Sequence, residues 1–175
     1  MIYVDESGVN IAMARRYARA RKGERANAAI PKNHGENVTL IGALNKKGIV
    51  AAMTINGASD GAIFEIYIKD VLCKELKPGD VVIMDNLSSH KSEIIKTHIN
   101  STGSKLLFLP PYSPDLSPIE ECWSKIKEFL RSQAKRTYTA LYKAISEAFD
   151  RVTEMDALGW FKQCGKVAQM IENSL

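Results

Sequence analysis

Hydrophobic residues fall into two rhythms along this chain, and their order predicts a sheet covered by helices. Ile2–Asp5 is a short β-rich run that ends in a carboxylate. From Gly8 to Gly35 the sequence turns polar, basic and irregular. Only Arg15–Arg21 suggests an extended piece there, because Arg15, Tyr17, Arg19 and Arg21 alternate with Arg16, Ala18 and Ala20. Val38–Leu44 and Ile49–Ile55 flank Asn45, Lys46, Lys47 and Gly48, the signal of a β-hairpin. Ala62–Leu76 then carries Ile63, Ile66, Tyr67 and Val71 at helical spacing and stops before Pro78 and Gly79.

Val81–Met84 is a continuous apolar run, as expected of a parallel strand buried on both faces, and it ends at Asp85. A helix over Lys91–Asn100 and a fifth strand over Lys105–Leu109 follow. Pro110, Pro111, Pro114 and Pro118 make the next segment a stiff loop, unfit for helix or central strand. One helix starts at Pro118 and another spans Thr139–Val152; beyond it, around Trp160 and Phe161, only short helical patterns are legible. Three strands, then helix–strand–helix–strand–helix, imply a single α/β domain over residues 1–175: a mixed sheet with helices packed on it.

Composition narrows the chemistry. At 175 residues, 45% hydrophobic and 25% charged, the chain buries a sizeable core without disulfides. No apolar run approaches the roughly 18 residues of a membrane span, and Asp5 interrupts any leader, so a cytoplasmic protein is expected. Cys73, Cys122 and Cys164 are far apart and form no zinc-ribbon pair. His34, His90 and His98 are scattered, so a bound metal would have mostly oxygen ligands, which points to magnesium or manganese.

The net charge of +4 matters through its distribution. Arg15, Arg16, Arg19, Arg21, Lys22 and Arg25 are opposed only by Glu24, and Lys125, Lys127, Arg131, Lys135 and Arg136 follow Trp123. Such tracks suit a polyanion; alone, they read more readily as solvated faces.

Three carboxylates stand out. If the first and fourth strands are parallel neighbours, about 4.8 Å apart, Asp5 and Asp85 at their ends can share one hard cation. Each is also an ordinary strand-ending aspartate. Glu120 has two competing roles. Ser117, Pro118 and Glu120 form a good helix start, with Glu120 as the acid of a capping box. On a helical wheel, however, Ile119, Cys122, Trp123, Ile126 and Leu130 make the buried stripe. Glu120 sits on its margin, in register with Ser124, Lys127 and Arg131, while Glu121 faces water. Asn86 and His90 lie near Asp85 as candidates to touch substrate or orient a water; a residue placed like His90 more often belongs to the start of a helix.

Together these segments resemble a known family. Asp5 to Gly8, then Val81–Asn86 with His90 and Lys91, then Leu109–Glu120 followed by Trp123, is similar to the bacterial insertion-sequence transposases of the mariner-related DDE superfamily. Thirty-four residues separate Asp85 from Glu120, the spacing typical of that group. Ser113–Glu120 is the most specific segment. Family members usually have Asn where this chain has Ser117, a change that keeps a helix cap.

The resemblance implies a ribonuclease-H-like fold, a mixed five-stranded sheet with helices on both faces. It implies metal-dependent cleavage of DNA and strand transfer, with Asp5, Asp85 and Glu120 holding two magnesium or manganese ions. Arg15, Arg16, Arg19, Arg21, Lys22, Arg25, Lys127 and Arg131 are then expected along the DNA path. A homodimer on DNA is implied as well. Relatives carry helix-turn-helix modules before the first catalytic strand, which here begins at the start of the chain. Recognition of transposon ends would therefore come from another frame or chain, joined by frameshifting, or the copy is truncated. The alternatives are an idle remnant that binds DNA or an intact transposase, and a nuclease that cuts without joining.

Overall fold

β-branched and aliphatic residues at alternating positions build a mixed five-stranded sheet around the first strand. β1 (Ile2–Val9) lies antiparallel to β2 (Val38–Asn45), which turns through Lys46 and Lys47 into antiparallel β3 (Gly48–Asn56). On its other side β1 runs parallel to β4 (Val81–Met84), and β4 parallel to β5 (Lys105–Phe108), in the order β3-β2-β1-β4-β5. Parallel neighbours need crossovers. α1 (Gly61–Asp70) leads into β4, and α2 (Glu93–Ser101) joins β4 to β5. α3 (Pro118–Gln133), α4 (Tyr138–Asp150) and α5 (Glu154–Glu172) complete the chain. The computed structural model describes residues 1–86, 92–111 and 113–172, with side chains as far as Lys166.

The two-residue period of the strands sorts their side chains into two cores. Ile2, Val4, Ile41, Ala43, Val82 and Met84 meet Phe64, Tyr67 and Ile68 of α1 and Ile95 and Ile99 of α2. Val9, Val38, Leu40 and Leu44 face the other way. They meet Ile119, Cys122, Trp123, Ile126 and Leu130 of α3, the stripe that the wheel predicts, together with Leu141, Ala144, Ile145 and Ala148 of α4. Helices therefore cover both faces.

Several element bounds differ from the sequence reading. β1 does not end at Asp5. Its ladder to β4 stops at Val4↔Met84, but its ladder to β2 continues to Val9↔Val38. Asp5 is thus mid-strand, at the point where β1 loses its parallel neighbour. α1 stops at Asp70 rather than Leu76: Val71 is its C-cap, its N–H donating to the Tyr67 carbonyl at 3.0 Å, and the chain tightens into a 3-10 turn over Leu72–Lys74 that carries Leu72 into the core. β5 ends one residue early, although the Leu109 N–H still donates to the Met84 carbonyl at 2.8 Å. α2 starts at Glu93, capped by the Ser92 hydroxyl; the expected start at Lys91 lies outside the described residues.

Arg15–Arg21 is not a strand, since every residue of it is exposed and alternation without a buried side gives no register. The short helical patterns of the C-terminus are one helix, α5. Gly159 and Gly165, poor helix formers, obscure its period. Its start is held by a reciprocal cap: the Thr153 N–H and hydroxyl donate to Asp156 Oδ2, and the Asp156 N–H donates to Thr153 Oγ1. The Lys125 ammonium reaches the same carboxylate and ties α5 to α3.

Residues 10–37 form no strand or helix, yet both ends are pinned to the turn after α3. There Ala134, left-handed at φ 47°, ends the helix. Arg136 Nη1 donates to the carbonyls of Ile11 and Met13 at 2.8 and 2.9 Å. Tyr138 Oη accepts from the Glu36 N–H at 2.6 Å and donates to the Glu36 carbonyl at 3.2 Å. Gly35 permits this approach: a Cβ there would stand 2.5 Å from that hydroxyl, and its φ of +65° disfavours other residues.

Candidate active site

The site grows from one cross-strand pair. Asp5 lies opposite Gly42 on β2, and both face α3. Because Gly42 has no side chain, the Trp123 ring can lie across β2; a Cβ at Gly42 would come within 2.8 Å of Trp123 Cη2. A buried indole N–H needs an acceptor. Here Trp123 Nε1 donates to Asp5 Oδ2 at 3.0 Å. The sequence reading placed Trp123 in the apolar stripe but did not find this bond. The signal was the indole's own donor, which a buried face must satisfy.

Asp85 directly follows β4, beside Asp5, because the register Val4↔Met84 carries one residue further along the parallel pair. Glu120 comes from the first turn of α3, where Pro118 sets the helix start. Asp5, Asp85, Asn86 and Glu120 line a single cleft of about 380 Å³, whose far wall is Pro110, Pro111 and Pro114. Glu121 instead borders a neighbouring depression with Asp115. The expected capping box is absent. Ser117 takes the N-cap position, but its side chain makes no capping hydrogen bond, so the helix start does not account for Glu120. His90 lies outside the described residues.

Burial pushes the Asp5 carboxyl up to about 7, and the nearby charges of Glu120 and Asp85 push the same way. The Glu6 backbone N–H and the Trp123 indole oppose that rise by donating to the carboxylate. A desolvated acid facing two others is the arrangement that a hard cation relieves, and all three donors are oxygens. The donor set therefore fits magnesium or manganese. Among the described residues no three acidic, histidine or cysteine side chains stand close enough to hold an ion as they are. Closing the set requires a side-chain movement, and Glu120 is exposed and free to make it.

The basic residues divide. Burial, and then the Arg131 charge, lower the Lys127 pKa, while Glu120 and Asp5 pull it the other way and Arg16 adds to the lowering. Lys127 thus stands between the acidic cleft and a cationic pair, Arg16 and Arg131. Arg15 and Arg16 meet Arg131 across a second cleft. Arg19, Arg21, Lys22 and Arg25 are exposed and line neither cleft. No helix among the described residues is long and apolar enough to cross a membrane.

Comparison with known proteins assigns this arrangement to a class, that of ribonuclease-H-like DDE catalytic domains. Residues 1–141 match the family model described as DDE superfamily endonuclease, and the chain belongs to that family. The Mos1 mariner paired-end complex with Mn superposes with a TM-score of 0.79 at 17% identity, covering 94% of this chain and 52% of that one. The Mos1 strand transfer complex gives 0.73 at 16% identity, over 94% and 51% of the two chains. The Mos1 transposase catalytic domain alone gives 0.67 at 13% identity, over 94% and 76%. The chain spans about half the length of the first two, and at these identities the likeness is one of fold. No curated protein matches the chain in sequence.

Proposed function

We propose that this chain is the catalytic domain of a DNA transposase that cleaves phosphodiester bonds and joins the freed 3′ ends to a target. The observation that carries the reading is the meeting of Asp5, Asp85 and Glu120 in one cleft, from three elements and distant parts of the sequence. Membership of the DDE endonuclease family and the 34-residue Asp85-to-Glu120 interval support it.

In this mechanism Asp5, Asp85 and Glu120 would hold two magnesium or manganese ions, which would lower the pKa of an attacking water or 3′-hydroxyl and stabilise the leaving oxygen of an in-line displacement. The protein's own part is positional. Trp123 donates to Asp5 Oδ2, and the Glu6 backbone N–H also donates to this carboxylate, so the two together orient it at the cleft. Burial pushes the Asp5 carboxyl up to about 7, so it would have to give up its proton to hold an ion. Asn86 borders the cleft where substrate would lie. Lys127, with Arg16 and Arg131 beyond it, lines the route by which phosphates leave the acidic cleft, and Arg15, Arg19, Arg21, Lys22 and Arg25 extend it.

Mos1 has been solved in paired-end complexes with transposon ends. By analogy this chain acts on paired DNA ends as a dimer, with end recognition supplied by a helix-turn-helix module.

The test is a nicking and strand-transfer assay on labelled DNA with magnesium or manganese. Glu120→Gln should lower both activities by at least about a hundredfold, with Glu121→Gln close to wild type. Full activity in Glu120→Gln would sink the ligand assignment. Nicking without joining would mark a nuclease, and inactivity even with a recognition module supplied would mark an idle remnant.

A further inference from the structure

The second cleft contains a group that phosphate binding does not explain. Its one wall is Arg15, Arg16 and Tyr17; its other is the outer face of α3, with Ser124, Glu128 and Arg131, and it measures about 540 Å³. Tyr17 is 89% exposed. An exposed aromatic is unremarkable alone. This one stands between two arginines before it and Arg19 after it, on a segment whose backbone Arg136 fixes at Ile11 and Met13. The ring lines the cleft while gaining almost nothing from burial.

The charges in the cleft are mixed. Arg16, Arg131 and Glu128 line it together; burial, and then the Arg16 charge, lower the Arg131 pKa, whereas Glu128 raises it. Two adjacent guanidinium groups call for an anion between them. The Glu128 carboxylate repels a purely anionic ligand and accepts from an amino group. A ligand that satisfies both has a phosphate at one end and a flat, amine-bearing ring at the other.

From this geometry we infer that the cleft is a binding site for an unpaired nucleotide, with its phosphate on Arg16 and Arg131 and its base stacked on Tyr17. This rests on the reading of the chain as a DNA enzyme and adds that it grips a single strand outside the carboxylate cleft. In a duplex the base is already stacked and its ring faces are covered, so Tyr17 selects melted or overhanging ends. Base–aromatic stacking tolerates any sequence, since every base has a π-face.

The inference is tested by fluorescence anisotropy on the full chain, using a short labelled oligodeoxycytidine and the same strand carrying abasic sites. Tyr17→Ala should weaken binding of the intact strand about tenfold and leave the abasic strand unchanged, while Tyr17→Trp keeps the wild-type preference for bases. Replacing Arg16 and Arg131 together by Ala should weaken both strands alike and reduce the salt slope by about one to two. Equal losses on the two strands in Tyr17→Ala, or none on either, would overturn the stacking site. If the arginine pair still carried salt-dependent binding in that case, the DNA reading would stand without it. If no strand bound in a salt-dependent way, both would fall. The exposure of Tyr17 makes loss of folding no explanation for either result.

Discussion

The two faces of the sheet are built from the same strands and do different work. Towards α1 and α2 the sheet presents Ile2, Val4, Ile41, Ala43, Val82 and Met84, and the helices answer with apolar groups. The Tyr67 hydroxyl, donating to the Ala51 carbonyl at 3.2 Å, is the buried polar contact there. Towards α3 the neighbouring positions present Asp5 and Gly42, and the helix answers with an indole donor. One step along β1, from Val4 to Asp5, passes from the core under α1 and α2 to the side that places a carboxylate in the cleft, whose lining Val4 also joins. A face can therefore be tuned for chemistry without loosening the packing that holds it, because the pleat sends alternate residues to different solvents.

That contrast can be broken experimentally. Trp123→Ala and Phe64→Ala should each cost about 3–5 kcal/mol of stability, measured by urea unfolding. Only the first should also weaken stabilisation by magnesium or manganese. An equal loss of ion response in Phe64→Ala would erase the distinction between the faces.

The next effect depends on pH. Since the folded state raises the Asp5 pKa to about 7, it keeps a proton that the unfolded chain releases near pH 4. Stability without divalent ions should fall as pH rises from about 4 to about 7, by no more than about 4 kcal/mol, and level off above. Asp5→Asn should flatten that decline. An undiminished decline in the variant, followed by thermal unfolding at pH 5 and pH 8, would assign it to other groups. Divalent ions should bind more tightly as pH rises through the same window, because the ligand must lose its proton.

A smaller effect is expected at Gly42. Gly42→Ala pushes a Cβ against the Trp123 ring and should cost about 1–3 kcal/mol, with reduced cleavage. Gly8→Ala, on the same sheet with nothing within 4 Å of its Cβ, should stay within about 0.5 kcal/mol of wild type. Comparable melting temperatures for the two variants would count against the close approach. The smallest belongs to the α5 cap. Thr153→Ala should cost about 1 kcal/mol and leave nicking unchanged. Asp156, held at about 2 chiefly by its Lys125 and Thr153 hydrogen bonds, adds stability present at neutral pH and lost as pH falls below about 4 towards 2.

How much of this was legible in the sequence depended on how local the cause was. Val81–Met84 and the α3 stripe were readable because burial alone dictates them. Glu120 and Glu121 were separable by helical geometry: in the fold only Glu120 lines the carboxylate cleft, while both border the depression beside Asp115. The end of β1 was misjudged because its second half is held by β2, far along the chain. The Trp123–Asp5 bond joins residues 118 apart and required the sheet register to be known. Arg15–Arg21 misled because alternating charge mimics a strand when no core faces it. The meeting of Arg16 with Lys127 and Arg131 likewise depended on where Arg136 anchors the loop.

The pinning of residues 10–37 at both ends has a consequence in polymer terms. The pairing Val9↔Val38 closes the segment, and Arg136, in the turn after α3, and Tyr138, the first residue of α4, hold its ends near Ile11, Met13 and Glu36, so it is a closed loop whose middle is free of the sheet. For such a loop, doubling the length costs only about 0.6 kcal/mol of closure entropy. Its tip, around the exposed Gly23, should accept an inserted peptide tag or reporter at little thermodynamic cost, provided the anchoring ends are left intact. The segment is thus a natural length variable in this fold: its reach can change while the carboxylates stay where they are.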